Sequence, residues 1–321
     1  MSAPTVNPLL PAEAPPRAAR PQRRFTAQRA TPYLMLAPAV VILVALLGWP
    51  ALQVLGISFR RLDLGELIRG EIVWVGFDNY REVLSDPEFW IIGLRTVLFT
   101  GACVVATIGL GLGIAVLMRH LDAPVRVALQ IALVLAWATP IIATTTVFQW
   151  IFDQQYGILN KTLVALGFDG FAGYSWFTSG VSTLSVIGLL ILWQAVPFIA
   201  FTLYAGLLGA SKDLYEAASI DGATPLQAFR AVSWPALRPL LTMVTFLSVL
   251  WDFKVFTQIW ALKQGGPDGE STTLPVLLYL KGISGSHFGV ASAVAVLMLL
   301  ILVGVTWRYM RLLVRSQETE L

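Results

Sequence analysis

The sequence predicts an all-α polytopic membrane protein with six transmembrane helices, and two observations support this prediction. Of the 321 residues 56% are apolar and only 13% are Asp, Glu, Lys or Arg, which is about half the charged share of an average soluble chain. The apolar residues form runs that reach the roughly 20 residues a helix needs to cross a bilayer. The composition excludes a disordered chain, a nucleic-acid binder and a disulfide scaffold, the last because Cys103 is the single cysteine.

Six stretches with few or no charged residues are predicted to span the membrane. All of them must be helical, because an open sheet facing lipid would leave its backbone groups without hydrogen bonds. The fourth apolar stretch starts with Gly, Ser and Thr residues that favour turns, so its helix is predicted to begin near residue 184. The predicted spans are 30–59, 96–118, 127–152, 184–209, 239–262 and 282–307.

The distribution of Lys and Arg predicts that both termini are cytoplasmic. Both tails, the second-to-third loop and the fourth-to-fifth loop together hold roughly twice as many basic residues as the other loops, and such residues collect on the cytoplasmic side. Arg60 and Arg61 oppose this bias, because they directly follow the first span on the other side.

Polar segments at both ends define the predicted domain organisation. Residues 1–30 hold six prolines and five arginines, which predicts a disordered cytoplasmic tail. A signal peptide is the alternative, but the following apolar run is about twice as long as a signal core and no small-residue cleavage site precedes Arg60. Residues 31–310 are predicted to form the six-helix transmembrane domain, and residues 311–321 a cytoplasmic C-terminal tail.

The polar segment 211–238, between the fourth and fifth spans, is predicted to form two short cytoplasmic helices. Ser211 is a good N-cap for the first helix, and Gly222 can end it with a positive φ. Thr224 caps the second helix, with Pro225 at its first position.

Pro235 and Pro239 are predicted to break the chain before it re-enters the membrane. For the segment before them, helix physics leaves two interpretations. The segment is either an amphipathic connector at the membrane surface or a docking element for a soluble partner. In the second case Glu216 needs a cationic or hydrogen-bonding partner, and the apolar contacts are Leu214, Tyr215, Ala218 and Phe229.

The same segment carries a motif. Residues 216–223 read Glu-Ala-Ala-Ser-Ile-Asp-Gly-Ala, and residues 232–235 read Val-Ser-Trp-Pro. This pattern resembles the EAA loop of ABC importer permeases, although Trp234 stands where Leu is usual. The resemblance implies ATPase docking by Tyr215, Glu216, Ala217, Ala218, Asp221, Gly222, Ala223 and Phe229.

Other loops extend the resemblance to carbohydrate importers. The similar segments are 75–80, 86–90, 156–160, 265–267 and 271–272. On them the chain is identified as a MalF-type permease subunit with the MetI/MalF-type fold. The resemblance implies a bacterial cytoplasmic membrane, a second MalG-like permease, two ATPase subunits and an extracytoplasmic sugar-binding protein or lipoprotein. ATP and Mg are expected on the ATPase subunits, since this chain has no Gly-x-x-x-x-Gly-Lys-Ser/Thr phosphate loop. This chain is expected to bind no cofactor itself.

The fifth predicted span supplies candidates for a sugar path. Four of its residues, from Ser248 to Val255, follow the spacing i, i+3, i+4 and i+7, so they are predicted to share one helix face. A carboxylate within a span is costly unless it faces a cavity or a partner, which makes Asp252 a functional candidate. The resemblance to maltose permeases implies a path lined by Gln194, Phe198, Ser248, Trp251, Asp252 and Val255.

Several alternatives stay open at this point. Asp252 could pair with Lys254, although residues two apart point to different helix faces, or it could be hydrated near the external interface. A polytopic membrane enzyme or a secondary transporter are the rival functions, but paired catalytic groups and internal repeats are not visible. No cluster predicts a metal site. The predicted substrate is a di- or oligosaccharide resembling maltose or trehalose.

Overall fold

The computed structural model describes residues 27–209 and 212–318. The described helices are α1 (Ala27–Leu43), α2 (Trp49–Ser58), α3 (Leu64–Arg69), α4 (Asp78–Ser85), α5 (Pro87–His120), α6 (Ala123–Ala138), α7 (Ile141–Ile151), α8 (Ile158–Ala165), α9 (Gly180–Leu208), α10 (Lys212–Ile220), α11 (Pro225–Ala228), α12 (Trp234–Phe253), α13 (Thr257–Lys263), α14 (Leu274–Tyr279) and α15 (Phe288–Glu318). The described strands, β1 (Arg60–Arg61) and β2 (Val73–Trp74), pair antiparallel.

The predicted tails lie only partly within the described residues. Residues 27–30 begin α1, and the rest of the predicted N-terminal tail lies outside the described part of the chain. The predicted C-terminal tail, 311–321, is helical as far as Glu318. The helix continues because residues 311–318 contain no Gly or Pro to end it.

The first unit of the chain, Met1–Leu52, contains most of the first span. Here α1 continues through a π-helical turn (Val44–Gly48) into α2. The stretch Tyr33–Ser58 is long and apolar enough to cross a membrane. Its apolar side chains are exposed, as expected for a helix whose surroundings are lipid or another membrane helix.

In the second unit, Gln53–Leu321, a small folded segment lies between the first two spans. The buried Asn79 amide of α4 donates hydrogen bonds to the carbonyl oxygens of Ser58 (2.8 Å) and Arg60 (2.9 Å). These bonds fix α4 against the end of α2 and the start of β1.

Three long helices, α5, α9 and α12, form the core of the second unit. Close packing of α5 on α9 requires Gly111, because a Cβ there would lie 2.6 Å from Cγ2 of Ile199. Large apolar side chains fill the bundle at the end from which α10 follows α9, which we call the α10 end. They include Met118, Leu203, Leu207, Leu237 and Val244.

The third predicted span, 127–152, is not one straight helix. The structure divides it into α6 and α7, whose axes are bent by 101°. Thr139 adopts extended backbone (φ −70°, ψ 126°), because the ring of Pro140 disfavours the helical conformation for the residue before it. The prediction of one uninterrupted helix was therefore wrong at this point.

The fifth predicted span, 239–262, is displaced toward the N-terminus. A continuous helical segment runs over Pro225–Phe253 and includes a π-helical turn at Phe229–Ser233. Pro235 and Pro239 therefore do not break the chain, contrary to the prediction. Pro235 is the second residue after the π-helical turn, where the regular hydrogen-bond ladder is already displaced, so its missing N–H costs little.

The fold class is confirmed despite these differences. Five described helices are long and apolar enough to span a membrane, and the bent pair α6–α7 makes six if it counts as one span. The last span begins at Phe288 rather than at residue 282, because the chain leaves the helical conformation after Ser284 and Ser286 has a positive φ of 59°.

Candidate functional site

The segment between α9 and α12 folds into two short helices, as predicted. Gly222 ends the first of them with a φ of 78°. The second begins with a capping box, in which the Thr224 hydroxyl accepts from the Gln227 N–H and the Gln227 side chain accepts from the Thr224 N–H. Pro225 occupies the first turn. The predicted N-cap, Ser211, lies outside the described residues.

The predicted docking residues point in two directions. Glu216, Ala217, Asp221 and Gly222 are exposed, whereas Ala218 and Ala223 are half-buried. This places a carboxylate, small side chains and a tight turn on one open surface, which we call the α10 surface. A carboxylate among small residues suits a partner that brings a cation close to the backbone.

Tyr215 and Phe229 point into the chain instead. Phe229 packs against the apolar cluster at the α10 end. The ring of Tyr215 lies 3.9 Å from the guanidinium carbon of Arg119, at the end of α5. Its hydroxyl is hydrogen-bonded to the fully buried Ser233. Sequence reasoning missed Arg119 and Ser233, because no local pattern reveals a contact between distant helices.

Two of the predicted path residues meet on an open surface. The rings of Phe198 on α9 and Trp251 on α12 are 5.4 Å apart in an edge-to-face arrangement, and Trp251 is 44% exposed. Gln194, one turn before Phe198, accepts a hydrogen bond from the Gln258 side chain of α13 (3.2 Å). Gln258 was not predicted, since the structure places it on a separate helix. Aromatic faces next to amides are a suitable lining for a sugar.

Ser248 and Asp252 lie on a different side of α12. Their exposed fractions are 3% and 6%. Val244 packs with residues near the end of α5, and Phe253 packs with Ile92 near its start. Ser248 and Asp252 therefore lie along the middle of α5. The hydroxyls of Thr100 and Thr107 on α5 also have no hydrogen-bond partner among the described residues.

Asp252 is unpaired within the described chain. Its Oδ2 atom is buried and has no hydrogen-bond partner among the described residues. The alternative of an ion pair with Lys254 is not supported, because Lys254 is exposed and the ion pairs of the described part do not include it.

Val255 does not share the helix face of the other three residues. The helix α12 ends at Phe253, and Lys254 is its C-cap. Val255 lies in the break before α13 and packs in a cluster with Ile259 and Leu262. The prediction of one four-residue face was wrong here, because its spacing assumed a helix through residue 262.

We predict that Asp252→Leu stabilises the protein. Removing a buried polar group that has no partner should raise the free energy of unfolding by about 1–2 kcal/mol. The measurement is the Tm of the purified complex. Lys254→Leu is the matched control and should leave Tm unchanged, because that side chain is exposed. A lower Tm for Asp252→Leu would show that the carboxylate is bound in the assembled transporter.

A loop at the end of the bundle opposite α10 is held by two charged residues that sequence reasoning missed. Arg95 on α5 donates from Nη1 to the carbonyl oxygens of Gly269 (2.9 Å) and Thr272 (3.0 Å). Glu270 accepts a hydrogen bond at Oε2 from the N–H of Gly180, the first residue of α9 (2.7 Å). The loop thereby joins the starts of α5 and α9.

We expect Arg95→Ala to destabilise this end of the bundle. Loss of the charge-assisted bonds should lower the free energy of unfolding by about 2–3 kcal/mol, which thermal unfolding measures. Arg61→Ala is the control, since Arg61 is an exposed arginine. Equal Tm values for the two variants would contradict a fastening role for Arg95.

The described residues offer no group of side chains suited to bind a metal ion. Among them no group of three or more His, Cys, Asp and Glu side chains could hold a metal ion. His287 is exposed and lies 3.0 Å from Asp63.

Comparison with known protein sequences places the chain in a family. The family model described as "binding-protein-dependent transport system inner membrane component" matches residues 106–317. The diacetylchitobiose uptake system permease protein DasB of Streptomyces coelicolor is 44% identical over 290 residues, which cover 90% of this chain and 88% of that protein. The trehalose/maltose transport system permease protein MalF of Thermococcus litoralis is 30% identical over 279 residues, covering 87% and 92%.

A solved structure has the same fold. A chain in the crystal structure of a bacterial ABC transporter, involved in the import of the acidic polysaccharide alginate, matches with a TM-score of 0.74 at 19% identity. The match covers 88% of this chain and 96% of that chain. The bundle with its two short helices before α12, the family match and the relatives agree: this chain belongs to the binding-protein-dependent transport system inner membrane components, and it is a non-catalytic permease subunit of an ABC importer.

Proposed function

We propose that this chain forms half of the sugar path in an ATP-driven importer of a di- or oligosaccharide. The observation that carries the proposal is the α10 surface, with Glu216 exposed and Tyr215 turned inward to the membrane helices. A soluble ATPase can bind such a surface from outside the membrane, and the inward contacts let the movement reach the spans.

The sugar we propose is a disaccharide of the diacetylchitobiose type. The 44% identity with the diacetylchitobiose permease over most of both chains supports this substrate. Maltose and trehalose are the second candidates, supported by the 30% identity with the Thermococcus litoralis permease. The pair Phe198–Trp251 offers ring faces to sugar carbons, and Gln194 with Gln258 offers amides to hydroxyl and acetamido groups.

The complete transporter that we propose has four further subunits. A second permease supplies the other half of the path, and two ATPases bind ATP and Mg. An extracytoplasmic binding protein or lipoprotein delivers the sugar. Both termini and the α10 surface lie on the cytoplasmic side, which the distribution of Lys and Arg supports. Closure of the ATPases on ATP moves α10 and switches the path between inward and outward access.

The test is sugar uptake into proteoliposomes that contain the complete complex. The vesicles receive ATP, the binding protein, and labelled diacetylchitobiose or labelled maltose. We expect accumulation of diacetylchitobiose that requires both ATP and the binding protein. Uptake driven by an ion gradient without ATP would instead indicate a secondary transporter, and uptake of maltose alone would change the substrate.

A further inference from the structure

Tyr215 joins α10 to two membrane helices. On α10 the described side chains are mostly exposed, with Tyr215 and Ala218 half-buried. The Tyr215 ring contacts Arg119 of α5, and its hydroxyl is hydrogen-bonded to Ser233 at the end of the π-helical turn before α12. One side chain of the short helix thus contacts both the second and the fifth span.

The charge of Arg119 interacts with the ring of Tyr215. The guanidinium lies 3.9 Å from the ring centroid, within the distance at which a cation is attracted to an aromatic face. The side chain is half-buried, and none of the ion pairs in the described part of the chain includes it. A basic residue at the end of a span commonly extends toward lipid headgroups, but here its position over Tyr215 favours an internal contact.

The residues next to Arg119 couple it to the packed core of the bundle. Met118, the preceding residue, is fully buried and belongs to the same apolar cluster as Leu203 of α9 and Leu237 of α12. A displacement of Arg119 therefore has to move a closely packed end of the bundle, because packed interfaces shift as bodies rather than deform.

We propose that Arg119 is a positioning residue, which transmits the movement of α10 to α5 through its stacking on Tyr215. This inference rests on the proposed function, because it presumes that an ATPase moves α10. The contact with Ser233 carries the same movement to α12. Without the stacking, α10 still binds the ATPase, but a movement of α10 no longer moves α5.

The experiment compares four variants in the reconstituted transporter. Arg119→Gln removes the cation, and Tyr215→Leu removes the ring. Arg119→Lys and Tyr215→Phe are their matched controls, because they keep a cation and an aromatic face. The readouts are ATPase subunit recovered with the permease, ATP hydrolysis, and sugar molecules imported per ATP.

We expect Arg119→Gln to recover the ATPase normally and to hydrolyse ATP, but to import roughly five- to tenfold less sugar per ATP. Tyr215→Leu should lower the sugar imported per ATP at least as much, because it also removes the hydrogen bond to Ser233. Arg119→Lys should keep most of the transport yield. Tyr215→Phe keeps the stacking but loses the bond to Ser233, so its yield should lie between those of Tyr215→Leu and the unsubstituted protein. The double variant Arg119→Gln/Tyr215→Leu should be no worse than Tyr215→Leu alone, since that change already removes the stacking.

Two results would overturn the inference. An unchanged yield of sugar per ATP in Arg119→Gln would show that the stacking transmits nothing. Loss of ATPase recovery in Arg119→Gln would show that the residue supports the docking surface itself. Failure of the proposed function is distinguishable, because it would appear in the unsubstituted complex as uptake independent of ATP.

Discussion

Glu216→Lys is expected to abolish sugar uptake while the protein remains in the membrane. Glu216 is exposed on the α10 surface, so the change disturbs no core, but it places a like charge against the cation that we expect on the ATPase. Reversing a charge of a close interface pair costs about 2–5 kcal/mol, which corresponds to a loss of ATPase affinity of at least roughly thirtyfold. Recovery of the ATPase subunit with the permease and ATP-driven uptake into proteoliposomes measure the effect.

The matched control is Asp213→Lys, which makes the same charge change on the same helix. Asp213 is exposed in the first turn of α10 and lies outside the Glu-Ala-Ala motif. We expect this variant to retain most of its ATPase and its uptake. Normal uptake by Glu216→Lys would refute docking at this carboxylate, and equal losses in both variants would indicate general charge attraction.

Trp251→Ala should weaken recognition of the sugar inside the membrane. The exposed ring of Trp251 packs edge-to-face with Phe198. Removing the Trp251 ring removes the larger of the two aromatic faces on which a sugar ring can lie. We expect the apparent KM for uptake to rise about tenfold, with the rate of ATP hydrolysis in the absence of sugar unchanged. The measurement is the concentration dependence of labelled disaccharide uptake.

Trp193→Ala is the control for this substitution. Trp193 is also an exposed tryptophan of the bundle, at 52%, but it faces a groove lined by Leu110, Ile114 and Phe148 instead of the Phe198–Trp251 pair. Its removal should leave KM unchanged. A similar rise in both variants would mean that the tryptophans act on assembly and not on the sugar.

Local chemistry explains why the polar segment could be predicted closely. The end of α10 depends on the freedom of Gly222 to adopt a positive φ, and the start of α11 depends on Thr224 and Pro225. Each of these signals acts within a few residues, so sequence alone is sufficient to place both helix boundaries.

The candidate path was harder to predict for two physical reasons. Helix spacing relates Ser248 to Asp252, but it does not tell which side of the helix faces the neighbouring span, and the structure turns both of them inward. The spacing also says nothing of where the helix ends, so Val255 was placed on a helix that stops at Phe253.

Contacts between residues far apart in the sequence could not be predicted from local sequence patterns. Arg95 binds carbonyl groups that are more than 170 residues away in the sequence. Tyr215 of α10 contacts Arg119, which lies on a different helix, α5. A charge inside an apolar run was the available signal for Arg95, and it gives no indication of the partner. The bend before Pro140 did have a local signal, the proline itself, but the prediction of the span followed hydropathy alone, which stays high on both sides of it.

The continuous helix Pro225–Phe253 determines how far a small movement is amplified. It comprises 29 residues, which at 1.5 Å per residue gives a rod of roughly 43 Å. A tilt of about 10° about one end of such a rod displaces the other end by roughly 7 Å, more than one helical turn. Because the helical segment is continuous through the π-helical turn, a tilt at the α11 end becomes a displacement beside Trp251 that is comparable to the width of a sugar ring.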